Sequence, residues 1–182
     1  MSATPLTRPV PVSPSLPLPH CRRCDFGDRP FDRATAPDVL REYALRWRRV
    51  LADPDTPTGR VGVLAWSPLE HGCHVRDMCL LFRRRLETSL GTAPAGPGPE
   101  PEGADDPARL TGLYRDEDPG RVAGELAAAA EALARRLAVL DPADWDREDP
   151  RLPGERLTVE FFTRHLLHDI AHDLGEVLRA AD

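Results

Sequence analysis

The side chains of this sequence with the clearest capacity for chemistry are His168 and His172, in the run His168-Asp-Ile-Ala-His172. On a helix, residues four apart lie about 40° apart around the axis and about 6 Å along it, so both rings face one way. Two imidazoles so placed can grip one divalent cation if a third ligand comes from another element. A second stretch offers His74 and, three residues earlier, His71. His74 shares a helical stripe with Met78 and Leu81, while His71 lies about 60° away. The helical wheel alone leaves open which of the two faces the first pair. A three-imidazole ion keeps coordination positions open, the arrangement of catalytic rather than structural metal centres.

Other groups could serve such a centre. Arg164 and His165 fall on the same arc as His168 and His172 and are candidates to contact a cofactor or substrate, Arg164 through an anionic group. Arg76 and the run Arg83-Arg84-Arg85 could do the same, although basic runs on helices are usually solvated faces. Asp169, Asp77 and Glu70 are placed to orient imidazoles through their second ring nitrogen. Cys21-x-x-Cys24 is half a zinc site. Its further ligands could be His20 or another chain segment, since no second such pair exists. A loop staple is the alternative; a redox dithiol lacks its βαβ setting. Cys73 and Cys79 read as buried, inert thiols. There is no H-E-x-x-H, no E-x-x-H, no nucleophile elbow, and no phosphate or dinucleotide loop.

Four amphipathic segments must hold these groups. Pro37 to Leu51 reads as a helix with Leu40, Tyr43, Ala44, Trp47, Val50 and Leu51 at helical spacing, capped at Thr35 or Ala36. Ser67-Pro-Leu-Glu70 is a capping box that opens a second helix running to about Leu90. Asp118-Pro119 opens a third, Ala-rich helix reaching Leu140. The fourth runs from about Thr158 to Ala181, its apolar arc of Leu166, Leu167, Ile170, Leu174, Val177 and Leu178 leaving the histidines at the margin of the core. Gly91 to Pro107 and Asp141 to Arg156 read as loops, and Arg60 to Ala65 as a strand without a partner. The expected fold class is all-α, a four-helix bundle with long loops whose order need not be up-down-up-down. Residues 1–19 form a Pro-rich flexible tail, and residues 20–182 the domain.

Composition narrows the setting. The chain has 182 residues and a net charge of −6, which gives no footing for nucleic acid or anionic membranes. No apolar run reaches spanning length and no signal pattern opens the chain, so a cytoplasmic location is expected. All 24 basic residues are Arg, which removes lysine Schiff-base chemistry.

Three runs, in this order, carry a family resemblance: Trp66-Ser-Pro-Leu-Glu-His-Gly-Cys-His74-Val-Arg-Asp77, then Tyr114-Arg-Asp-Glu-Asp-Pro119, then Leu167-His168-Asp169-Ile-Ala-His172. The chain resembles the DinB-like superfamily over about residues 20 to 180, most of all its actinobacterial branch. The resemblance implies a four-helix bundle holding a divalent metal through one histidine of the second helix and two of the fourth, which selects His74, His168 and His172. Zinc is the first expectation, with nickel or iron as alternatives. Members with known activity include thiol-dependent S-transferases and isomerases that use mycothiol or bacillithiol, which implies a low-molecular-weight thiol cofactor and a small electrophile as substrate. The other expectations are a non-catalytic metal-binding bundle and a metal hydrolase. The expected partners are a small molecule and a second copy of the chain in a homodimer. The chain departs from the branch at Asp173, where a histidine usually stands, and at His165, where an aromatic residue does.

Overall fold

The structure is a computed structural model that describes residue 21, residue 24, residue 26 and residues 31–56, 59, 66–93, 114, 116–151 and 157–181. The expected tail at 1–19, the expected strand at 60–65 and most of the first long loop lie outside the described residues. Among the described residues four α-helices stand out: α1 Ala36–Ala52, α2 Pro68–Leu90, α3 Pro119–Leu137 and α4 Val159–Ala181. A 3₁₀ turn spans Asp144–Asp146.

Local chemistry sets the helix ends. At α2, Ser67 Oγ accepts from the Glu70 amide at 3.2 Å and the Glu70 carboxylate accepts from the Ser67 amide at 2.8 Å, closing the capping box. Gly91 stops this helix in the left-handed conformation, φ 71°, which only glycine adopts without strain. Asp118 caps α3 by accepting from the Arg121 amide at 2.7 Å. Thr158 Oγ1 does the same for the Phe161 amide at 3.1 Å. α3 ends at Leu137 rather than at Leu140. Pro142 accounts for this, because its ring would collide with the carbonyl of Ala138 in a continuing helix. The second loop is more ordered than its composition suggests: an isolated antiparallel bridge joins Glu148 to Thr158, and the Val159 amide donates to Arg147 O at 2.9 Å.

Ion pairs and packing give the directions. α1 lies chiefly on α3, and α2 lies between α3 and α4. Arg41, early in α1, meets Glu131, late in α3, so these two run antiparallel. Arg76 and Arg136 join early to early and late to late between α2 and α3, so these run parallel. His71, early in α2, meets Asp173, late in α4. Arg33, just before α1, meets Glu160 at the start of α4. The order is therefore up, down, down, up, with α1 and α4 parallel. Two consecutive parallel helices need a connection that returns along the bundle. α2 is about 34 Å long at 1.5 Å per residue, so the long stretch between Gly91 and Asp118 is a topological requirement.

The core is one apolar cluster drawn from all four helices, with Trp47, Leu40, Leu86, Leu126, Leu133, Leu166, Leu167 and Ile170 almost fully buried. The chain is an all-α bundle, as its periodicity requires. No described helix is long and apolar enough to cross a membrane. One end of the bundle gathers the C-termini of α1 and α4 with the N-termini of α2 and α3, and the chemistry collects toward that end.

Candidate metal centre

His168 and His172 project from successive turns of α4, with ring centroids 5.9 Å apart. Two thiols join them. One donor atom from each of Cys21, Cys24, His168 and His172 lies within 4.8 Å of every other. Cys21 Sγ stands 3.3 Å from His172 Nδ1. A tetrahedral zinc with bonds of about 2.0–2.3 Å sets its ligands about 3.3–3.8 Å apart. One pair thus already has that spacing, and the others need to close by about 1.5 Å at most.

An orphaned atom supports the fit. His168 Nε2 is buried with no hydrogen-bond partner, whereas its Nδ1 lies 2.9 Å from Asp169 Oδ1. A buried polar nitrogen left unpaired costs about 1–3 kcal/mol, and ligating a cation removes that cost. With a cation on Nε2, Asp169 would be the carboxylate that orients the ring and holds its proton on Nδ1. Burial on its own would lower the His168 pKa; the neighbouring Cys21 and the Asp169 carboxylate raise it overall. At His172 the outward nitrogen, Nε2, meets Glu176 Oε1 at 3.4 Å. The donor set of two thiolates and two imidazoles suits zinc. Four protein donors fill a tetrahedral ion, which is the pattern of structural rather than catalytic zinc.

The remaining expected residues fall as follows. His74 is not part of this group; its ring packs edge-on to Trp66 at 5.1 Å. Trp66 also lies 5.5 Å from the His71 ring. His71 Nδ1 approaches Asp173 Oδ2 at 3.5 Å, and neither atom makes a hydrogen bond. His165 is half exposed and stacks on Phe161, its Nε2 3.2 Å from Asp169 Oδ2. Asp169 therefore spans His165 and His168. Arg164 stands over the Phe31 ring at 5.7 Å. Of the three acids, only Asp169 holds an imidazole. Glu70 closes the capping box, and Asp77 accepts from Arg76 Nε and from Tyr114 Oη, each at 2.8 Å.

Sequence reasoning did not foresee that the cysteine and histidine pairs come together in one cluster of donor atoms. Each lacked two ligands, and that complementarity was the available signal. It also missed Tyr114 and the acids around Arg76. That guanidinium is largely buried and pairs with Asp77, Glu117 and Glu125. Burial would lower its pKa, but Asp77 and Glu125 hold it above the ordinary arginine value. Cys73 and Cys79 are buried as expected, their thiols pushed up to about 11 and about 12 by burial.

Neither a curated protein nor a solved structure matches the chain. A family model described as the DinB superfamily matches residues 38–177. His74, His168 and His172 fall inside that span, and Cys21 and Cys24 precede it. With a match over most of its length and the helical bundle to go with it, this chain belongs to the DinB superfamily.

Proposed function

We propose that the chain binds one divalent cation, zinc first, through Cys21, Cys24, His168 and His172, and that this ion ties the segment before α1 to the middle of α4. The observation that carries the reading is the meeting of four soft and borderline donors around an otherwise unpaired His168 Nε2. A closed set of this kind supports a metal-stabilised bundle that works by binding. The test is metal content of the purified full chain with each ligand changed to Ala in turn. Loss of stoichiometric zinc in all four variants is expected. Full retention in Cys21→Ala and Cys24→Ala would overturn the four-donor set.

A second reading is a thiol-dependent S-transferase or isomerase acting on a small electrophile in the cytoplasm. Membership of the superfamily and the half-exposed His165, tied through Asp169 to His168, favour it. In this reading His74 is the third imidazole, and a low-molecular-weight thiol takes the place of a cysteine. A bound divalent ion supplies thiolate at neutral pH. Asp169 keeps the His168 ring oriented, and Arg164 or His165 contacts the thiol's polar groups. Metal-dependent consumption of a thiol with an electrophile panel, lost in His74→Ala, would support it. No turnover, with undiminished metal in that variant, would leave the first reading alone.

A further inference from the structure

The four cysteines of this chain fall into two chemical classes. Cys73 and Cys79 are fully buried on α2, and that burial opposes thiolate formation. Cys21 and Cys24 are only partly buried, three residues apart, and reduced, and their sulfurs belong to one group of donor atoms within 4.8 Å. No other arrangement in the described residues brings two sulfurs together with metal-binding nitrogens. The outermost pair of thiols is thus also the pair that can bond to each other, and it supplies half the ligands of the proposed ion.

We propose that Cys21 and Cys24 are an oxidation site for peroxide, and that forming their disulfide discharges the metal and unties the segment from α4. The proposal rests on the four-donor reading above. The step balances as follows. Two ligating thiolates, one hydrogen peroxide and two protons give one Cys21–Cys24 disulfide and two waters. The sulfurs lose two electrons, the O–O bond takes them and breaks, and the divalent ion leaves with its charge unchanged. Disulfide sulfur is a poor ligand compared with thiolate. What remains is His168 and His172, a two-imidazole site short of the ligand number zinc needs.

Two structural features give the switch its selectivity and its output. Burial pushes Cys73 up to about 11 and Cys79 up to about 12, so neither offers appreciable thiolate at neutral pH to compete for oxidant. On the output side, the ion joins the segment carrying Cys21 and Cys24 to α4. Near the cysteines the contact Phe26 makes with the His168 ring, centroids 6.1 Å apart, is a small residual tie, while closer to α1 the stretch stays held by Arg33 on Glu160 and Phe31 under Arg164.

The test uses the full chain, loaded with zinc and then freed of excess reductant. Hydrogen peroxide is added while released zinc is followed with a chromophoric chelator, and the thiols are counted and mapped by mass spectrometry. Zinc should leave in step with loss of two thiols per chain, both mapping to a Cys21–Cys24 disulfide. Cys73 and Cys79 should stay reduced, and dithiol reductant with fresh zinc should restore binding. Limited proteolysis ahead of α1 should accelerate on oxidation and slow again on reloading. Zinc retained after the disulfide has formed overturns the switch while leaving the metal site standing. So does prior oxidation of Cys73 or Cys79. A reduced chain that takes up no zinc overturns the four-donor site itself, and the switch with it.

Discussion

At the scale of single residues, His168 divides its two nitrogens between a carboxylate and a cluster of donors, and this sets the order of effects expected from substitution. Asp169→Asn keeps the shape but gives up the charge that orients the ring. Metal affinity should fall about 10- to 100-fold, the usual consequence of losing such a partner, and a chelator competition titration measures it. The raised His168 pKa adds a pH dependence. In the metal-free chain a raised value favours the protonated ring. Its contribution to stability is fully present below the ordinary imidazole pKa, about 6.5, and is lost as pH rises through the higher folded value. A metal needs the neutral ring and thiolates. Affinity should therefore climb as pH is raised through the His168 value, and a flat profile from about pH 6 to 8 would contradict proton competition at this ring.

Among the helices, the sequence was legible wherever a terminus carries its own capping chemistry. Ser67 with Glu70, Asp118 with Pro119, and Gly91 each fix a boundary through contacts a few residues long. Apolar Val139 and Leu140 extend the pattern of α3 and hide the fact that Pro142 has already forbidden it. The bridge of Glu148 to Thr158 was illegible because it depends on the start of α4 lying alongside the preceding loop. The metal centre was half legible for the same reason. His168 and His172 belong to one helix face and can be seen locally, but Cys21 meets His172 across 151 positions of chain. Only the packed bundle brings them together. A test of the capping argument is Ser67→Ala, which should cost about 1 kcal/mol in denaturant unfolding, with the metal stoichiometry unchanged. A core residue should cost more: Leu126 is completely buried on α3, and Leu126→Ala should cost about 2–5 kcal/mol.

For the whole molecule, the up-down-down-up order places α2 and α3 side by side and parallel, and polar groups seal that seam. Arg76 reaches across it to Glu117 and Glu125 while also holding Asp77, and Tyr114 completes the network from the connection that leads into α3. Arg76→Met keeps much of the stem but removes the cation shared by three carboxylates, of which Glu117 and Glu125 keep Arg121 and Asp77 keeps the Tyr114 hydroxyl. It should destabilise the bundle by roughly 1–3 kcal/mol, the loss falling as pH is lowered enough to protonate them. Next to the start of α4, buried Asp149 is held below the ordinary aspartate range by hydrogen bonds from Arg151. Its stabilising contribution is present above the unfolded aspartate pKa, about 3.9, and is lost as pH falls through the lower folded value. Asp149→Asn should therefore remove part of the acid-induced unfolding below about pH 4, as followed by circular dichroism.

The proposed ion would link the segment before α1 to α4, and X-ray absorption at the zinc edge of the zinc-loaded chain tests that link most directly. The expected spectrum has two sulfur scatterers at about 2.3 Å and two imidazole nitrogens at about 2.0 Å. A shell made only of nitrogen and oxygen would contradict it, because the cysteines would then stand outside the coordination sphere.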